Sequence, residues 1–145
     1  MNKGTQQASG AKGEETVRRN AGEPPGRNEK ILLVDDDVYV IDMLQLWLER
    51  LGYAVVPIQD SREAWALFQS DPDQFDLLLT DMVMPLLTGT ELAKKAMAIR
   101  PVLPVILCTG YSYMIDEKAT REMGIAAFVT KPVHLSKLAE IIRKV

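Results

Sequence analysis

The 145-residue sequence contains one cysteine, Cys108, and one histidine, His134. A single thiol cannot close an internal disulfide, and there is no His/Cys cluster to hold zinc. No apolar run nears the ~20 residues needed to span a bilayer, and the first thirty residues lack the apolar stretch of a signal peptide. A cytoplasmic location without membrane contact is therefore expected. No GxxxxGK[ST] loop offers a phosphate cradle for a nucleotide. Surplus positive charge is also missing where a nucleic acid would need it. Residues 1–28 carry five basic and three acidic side chains, a balance of +2, so -5 of the total -3 falls to residues 29–145. An acidic folded part repels phosphate backbones, and no direct nucleic-acid partner is expected.

The chain length suits one domain, and 47% apolar with 26% charged residues is the profile of an ordinary globular protein. Residues 1–28 read as a disordered tail or linker: Gly, Ser, Gln, Asn, Pro and charged residues dominate, and Val17 is the only large aliphatic after Met1. From residue 29 onward, short apolar runs alternate with longer amphipathic stretches. Strands are expected at Ile31–Val34, Ala54–Ile58, Phe75–Thr80, Val105–Cys108 and Ala126–Thr130. Helices are expected at Val38–Leu51, Ser61–Gln69, Gly89–Ile99, Met114–Met123 and Leu135–Val145, with Gly52 and Gly124 just past two of the ends. On the first helix Val38, Ile41, Leu44, Leu48 and Leu51 share one face. Five strand–helix repeats predict an α/β fold, a doubly wound parallel sheet with helices on both faces.

Sites in such sheets lie beyond the carboxyl ends of the strands. There the sequence puts Asp35-Asp36-Asp37, Asp81, Thr109-Gly110 and Lys131-Pro132. Clustered carboxylates resist ionising together, and a divalent cation resolves the conflict. An all-oxygen donor set with room for water and phosphate oxygens suits Mg2+. Asp81, alone on the middle strand, is placed as a nucleophile that could form an acyl phosphate. Lys131 supplies positive charge and Thr109 a hydroxyl donor for phosphoryl oxygens. Asp37 reads as a helix cap.

Four segments, Ile31–Asp37, Thr80–Pro85 with Gly89, Leu107–Gly110 and Phe128–Pro132, resemble the signature segments of response-regulator receiver domains. They stand in order and at the usual spacing over residues 29–145. The resemblance implies a flavodoxin-like sheet of order 2-1-3-4-5. It also implies that Asp81 takes a phosphoryl group from a phosphohistidine on a histidine kinase or histidine phosphotransfer domain. Asp35, Asp36, Asp81 and the Val83 carbonyl would hold Mg2+, and Thr109 and Lys131 would contact the phosphoryl group. Lys131-Pro132 would be a cis peptide, with Pro132 structural. Thr109 and Phe128 would form a switch read by a downstream protein on the face of the fourth helix, fifth strand and fifth helix; the resemblance also allows a weak homodimer. Val83 and Tyr111 would border the path of hydrolytic water and lengthen the phosphoryl lifetime. The domain would not be an enzyme in its own right, beyond catalysing its own phosphotransfer.

Bland readings stand beside several of these residues. Thr109 in isolation reads as a turn cap, Phe128 as a core aromatic, and His134 as a capping or surface residue. Val40, Met43 and Trp47, at i, i+3 and i+7, either widen the core stripe of the first helix or form a docking surface for donor helices. Two other classes compete. A haloacid-dehalogenase-type phosphohydrolase also uses a nucleophilic Asp, but its Asp-x-Asp pattern is broken here by Val83. A pseudo-receiver binding module tends to lose an acid or the lysine, and this chain keeps both. The sequence stops at Val145, directly after the last expected helix, so it reads as a stand-alone receiver or as the C-terminal receiver of a hybrid sensor histidine kinase. The phrases Glu29–Asp36 and Cys108–Ser112, with the Gly/Pro-rich tail, resemble the latter.

Overall fold

The computed structural model describes residues 28–110 and 117–145. In chain order the elements are β1 (Lys30–Val34), α1 (Val38–Arg50), β2 (Ala54–Ile58), α2 (Ser61–Ser70), β3 (Leu77–Asp81), α3 (Gly89–Ile99), β4 (Val105–Thr109), α4 (Glu117–Glu122), β5 (Ala127–Thr130) and α5 (Leu135–Lys144), with a 3-10 turn at Pro72–Gln74. All strand pairs are parallel and the order is β2-β1-β3-β4-β5, the flavodoxin-like order. The near-continuous apolar runs of β1, β3 and β4 are buried because helices cover both faces. Pro57 sits in β2, an edge strand, where a missing N–H costs no ladder bond on the open side.

Alternation along the strands divides the core in two. Leu32, Val34, Leu78, Val105 and Leu107 face Ala64 and Phe68 of α2 and Leu92, Ala93 and Ala96 of α3. Ile31, Leu33, Leu79, Ile106 and Cys108 face Ile41, Leu44 and Leu48 of α1 and Leu138 and Ile142 of α5.

Most expected elements are present, with shifted ends. β3 begins at Leu77 rather than Phe75; Asp76, just before it, donates its N–H to the Lys30 carbonyl and accepts the Lys30 N–H with its carboxylate. Phe75 is nevertheless fully buried, stacked near Phe68. Thr109 and Asp81 belong to their strands, while Ala126 precedes β5. Gly52 and Gly124 take positive φ, 101° and 97°, as helix-ending residues do. Of the α1 face, Ile41, Leu44 and Leu48 are buried, but Val38, the first residue of the helix, is 42% exposed. The expected tail lies outside the described residues except for Asn28, whose N–H donates to the Gly52 carbonyl. Residues 114–116 of the expected fourth helix also lie outside them.

Candidate functional site

Parallel strands end at one edge, and pairing of Val34 with Thr80, Asp81 with Cys108 and Thr109 with Thr130 brings their last residues into one row. Asp35 follows β1 directly and is 2% exposed; its Oδ1 accepts the Asp37 N–H at 2.9 Å. Asp37 caps α1 by accepting the Tyr39 and Val40 N–H groups. Asp36, held between these two fixed neighbours, is exposed. One carboxylate oxygen from each of Asp35, Asp36 and Asp81 lies within 4.8 Å of the others.

Lys131 enters from the end of β5, where its N–H donates to the Thr109 carbonyl at 2.6 Å and the Lys131-Pro132 peptide is cis. Its Nζ lies 2.9 Å from Asp35 Oδ2 and 3.4 Å from Asp81 Oδ2. Burial raises the Asp81 carboxyl above its ordinary value and repulsion from Asp35 adds to this; Lys131 and the Val83 N–H offset part of the rise. Burial alone would lower the Lys131 ammonium, but its hydrogen bond to Asp35 and the charges of Asp35 and Asp81 outweigh burial and raise it. The lysine is thus a fixed cation between two carboxylates, and Thr109, 1% exposed, sits beside it at the end of β4.

The β3–α3 loop completes the site. The Met82 N–H donates to the Cys108 carbonyl and the Gly89 N–H to the Met82 carbonyl, which folds the loop back onto Asp81. A Cβ on Gly89 would run into the main-chain carbonyl of Asp81, so glycine is required there. A capping box of Thr88 and Glu91 then starts α3. Val83 is 60% exposed on this loop, and Leu86 takes φ 73°, a conformation that costs an L residue about 1–2 kcal/mol. Nothing in the sequence signalled that turn.

The structure gathers Asp35, Asp36, Asp81, Val83, Thr109 and Lys131 at one sheet edge. Tyr111 lies outside the described residues. Phe128 is half-buried against the α2–α3 core. His134 occupies the N-cap of α5 without a side-chain cap bond. Val40 and Met43 line a cleft of about 530 Å³ with Gly110, Lys131, Pro132 and Val133. Val40 and Trp47 both pack on the α1–α5 core, so within the expected row Val40 touches cleft and core, Met43 the cleft, and Trp47 the core. The fit to a divalent cation is good: three carboxylates supply oxygen donors only, and burial with mutual repulsion makes the ionised Asp81 costly without a compensating positive charge. Among the described residues no helix is long and apolar enough to cross a membrane.

A family model described as the response regulator receiver domain matches residues 31–143. The response regulator receiver protein CpdR of Brucella abortus is 37% identical over 119 residues, covering 80% of this chain and 95% of CpdR. The alkaline phosphatase synthesis transcriptional regulatory protein PhoP of Bacillus subtilis is 33% identical over 105 residues; the match covers 72% of this chain but 43% of PhoP, so this chain resembles one part of that regulator. The structure of the response regulator TrrA of Thermotoga maritima in complex with Mg2+ and BeF superposes with a TM-score of 0.72 at 27% identity, covering 80% of this chain and 97% of that one.

Proposed function

This chain belongs to the response regulator receiver family of two-component systems, and from that premise we propose that Asp81 is its phosphoacceptor, served by Asp35, Asp36, Thr109 and Lys131 within a receiver unit of residues 29–145. Receiver domains take phosphoryl groups from histidine kinases or phosphotransfer proteins, and they bind Mg2+ at an acidic pocket. The observation that carries the assignment is the Lys131 ammonium, held 2.9 Å from Asp35 and 3.4 Å from Asp81 with Asp36 alongside.

In this reading a carboxylate oxygen of Asp81 forms the new P–O bond as the P–N bond to the donor histidine breaks. Lys131 and the Thr109 hydroxyl take positions on the phosphoryl oxygens, where charge must be neutralised. Asp35, Asp36, Asp81 and the Val83 carbonyl would hold Mg2+, which when bound supplies charge neutralisation at the phosphoryl oxygens. Thr109 and Phe128 form the switch, reported through the α4–β5–α5 face to a downstream protein, and the domain can form a weak homodimer. Val83 and Tyr111 slow hydrolysis, so Tyr111→Ala should speed dephosphorylation. The cleft beside Lys131 receives donor helices along Val40 and Met43 of α1, with Trp47 supporting them from the core; Trp47→Ala should slow transfer from the donor while the fold stays intact. A cytoplasmic location and an origin as the receiver of a hybrid histidine kinase complete the reading; the latter rests on the phrases Glu29–Asp36 and Cys108–Ser112.

Incubation with Mg2+ and acetyl phosphate, read by intact mass, tests it. One phosphoryl group should be gained, dependent on Mg2+ and lost in Asp81→Asn. Failure with acetyl phosphate and with phosphohistidine donors would move the chain to the pseudo-receiver class, whereas turnover of small phosphate esters would favour a phosphohydrolase.

A further inference from the structure

Ser61 is the first residue of α2, yet it does not cap that helix: Asp60 does, accepting the Arg62 and Glu63 N–H groups. The Ser61 side chain is instead buried, at 2% exposure, against the β3–α3 loop of the acidic site. Its hydroxyl donates to the Pro85 carbonyl at 3.2 Å and accepts the Leu87 N–H at 3.2 Å. These are the two ends of one tight turn, because the Leu87 N–H also reaches the Pro85 carbonyl at 2.9 Å. The residue between them is Leu86, at φ 73°. A three-residue turn of this hand is rare and strained for an L residue. Leu86 is 66% exposed, so its own packing does little to hold it there. The serine hydroxyl spans the open side of the turn and supplies what the leucine does not.

The turn has a bearing on chemistry through its neighbours. Two residues before Pro85 stands Val83, 60% exposed on the loop that follows Asp81. Gly89, two residues after Leu87, is tied back to Met82. The loop is therefore pinned at the Asp81 end by Met82 and Gly89, and at its far end by Ser61. We propose that Ser61 is a positioning residue: by clamping the Pro85–Leu87 turn from α2 it fixes the loop that aims Val83 and Asp81 at a divalent cation. This rests on the reading of the acidic site as an Mg2+ site.

The test uses the full chain. Mg2+ alone is titrated calorimetrically into wild type, Ser61→Ala, Ser61→Thr and Ser70→Ala, and the rate of modification by acetyl phosphate is followed against Mg2+ concentration. Ser70 serves as the control because its hydroxyl bonds only within α2, to the Leu67 carbonyl, and is exposed. Ser61→Ala should raise the half-saturating Mg2+ concentration about fivefold, the size of one lost hydrogen bond, with the rate recovering at saturating Mg2+. Ser61→Thr keeps the hydroxyl and should restore most of the affinity; Ser70→Ala should match wild type. A merely structural serine would lower the amplitude through loss of folded protein and leave the midpoint in place. That result, or an unchanged Ser61→Ala, beside a wild type that binds Mg2+, overturns the proposal. A wild type that binds no Mg2+ overturns the reading of the acidic site, and this inference with it.

Discussion

Replacing Asp81 by Asn should stabilise the fold while abolishing its proposed chemistry. The ionised Asp81 gains from Lys131 at 3.4 Å and loses to the Asp35 and Asp36 oxygens within 4.8 Å. At an effective dielectric constant near 20, the attraction is worth about 5 kcal/mol and each repulsion at least about 3.5 kcal/mol. Solvent screens the exposed Asp36, which trims its share. Burial adds a further penalty, in line with the raised Asp81 carboxyl. With screening at Asp36 and the burial penalty acting in opposite senses, the balance leaves the charge unfavourable by about 2 kcal/mol at pH 7 without divalent ions. Asn keeps an acceptor for the Val83 N–H and removes the charge. A group whose folded pKa lies above its unfolded value of 3.8 imposes no penalty below that value and its full penalty above the folded pKa. The advantage of the variant should therefore grow as pH rises from about 4 to 7, as follows from that window. Urea unfolding in chelator at both pH values reads it as a higher midpoint, and a thermal melt as a Tm gain of about 4 °C per kcal/mol. Millimolar Mg2+ should narrow the gap by stabilising wild type more. An Asn variant less stable than wild type at pH 7 in chelator would refute the reasoning, as would a gap that persists at pH 4.

Gly89→Ala places a Cβ against the Asp81 carbonyl and should cost about 3 kcal/mol of stability, read as a lower urea midpoint. Asp37→Ala removes the α1 cap and should cost about 1 kcal/mol, while the Mg2+ midpoint moves far less than in Asp36→Ala. The buried Cys108 thiol is pushed up to about 12 by burial, so iodoacetamide at pH 8.5 should leave the native protein unmodified and alkylate it only in urea.

The acidic site was legible because its residues carry their own signal. Asp35, Asp81, Thr109 and Lys131 each follow or end an apolar run, and a parallel sheet must bring such ends together. Element ends were less legible. Phe75 reads as strand from its bulk, yet it lies before β3 and is buried by stacking near Phe68, a contact between elements that bulk alone does not announce. Val38 shares the helical phase of Ile41 but is exposed, since phase does not tell where a helix begins relative to the sheet.

By itself, then, the sequence determined the strand–helix alternation, the two-faced burial of the central strands and the set of polar groups at their carboxyl ends. These follow from period, polarity and chain order, which are local properties. Tertiary structure decided which of those groups touch: that one lysine after β5 bridges acids at the ends of β1 and β3, and that Met43 opens to a cleft while Trp47 packs on the core and Val40 touches both. It alone decided that a serine opening α2 clamps a strained turn 24 residues further along. Such contacts depend on side-chain direction and on the distance between elements remote in sequence, and neither is written in local pattern.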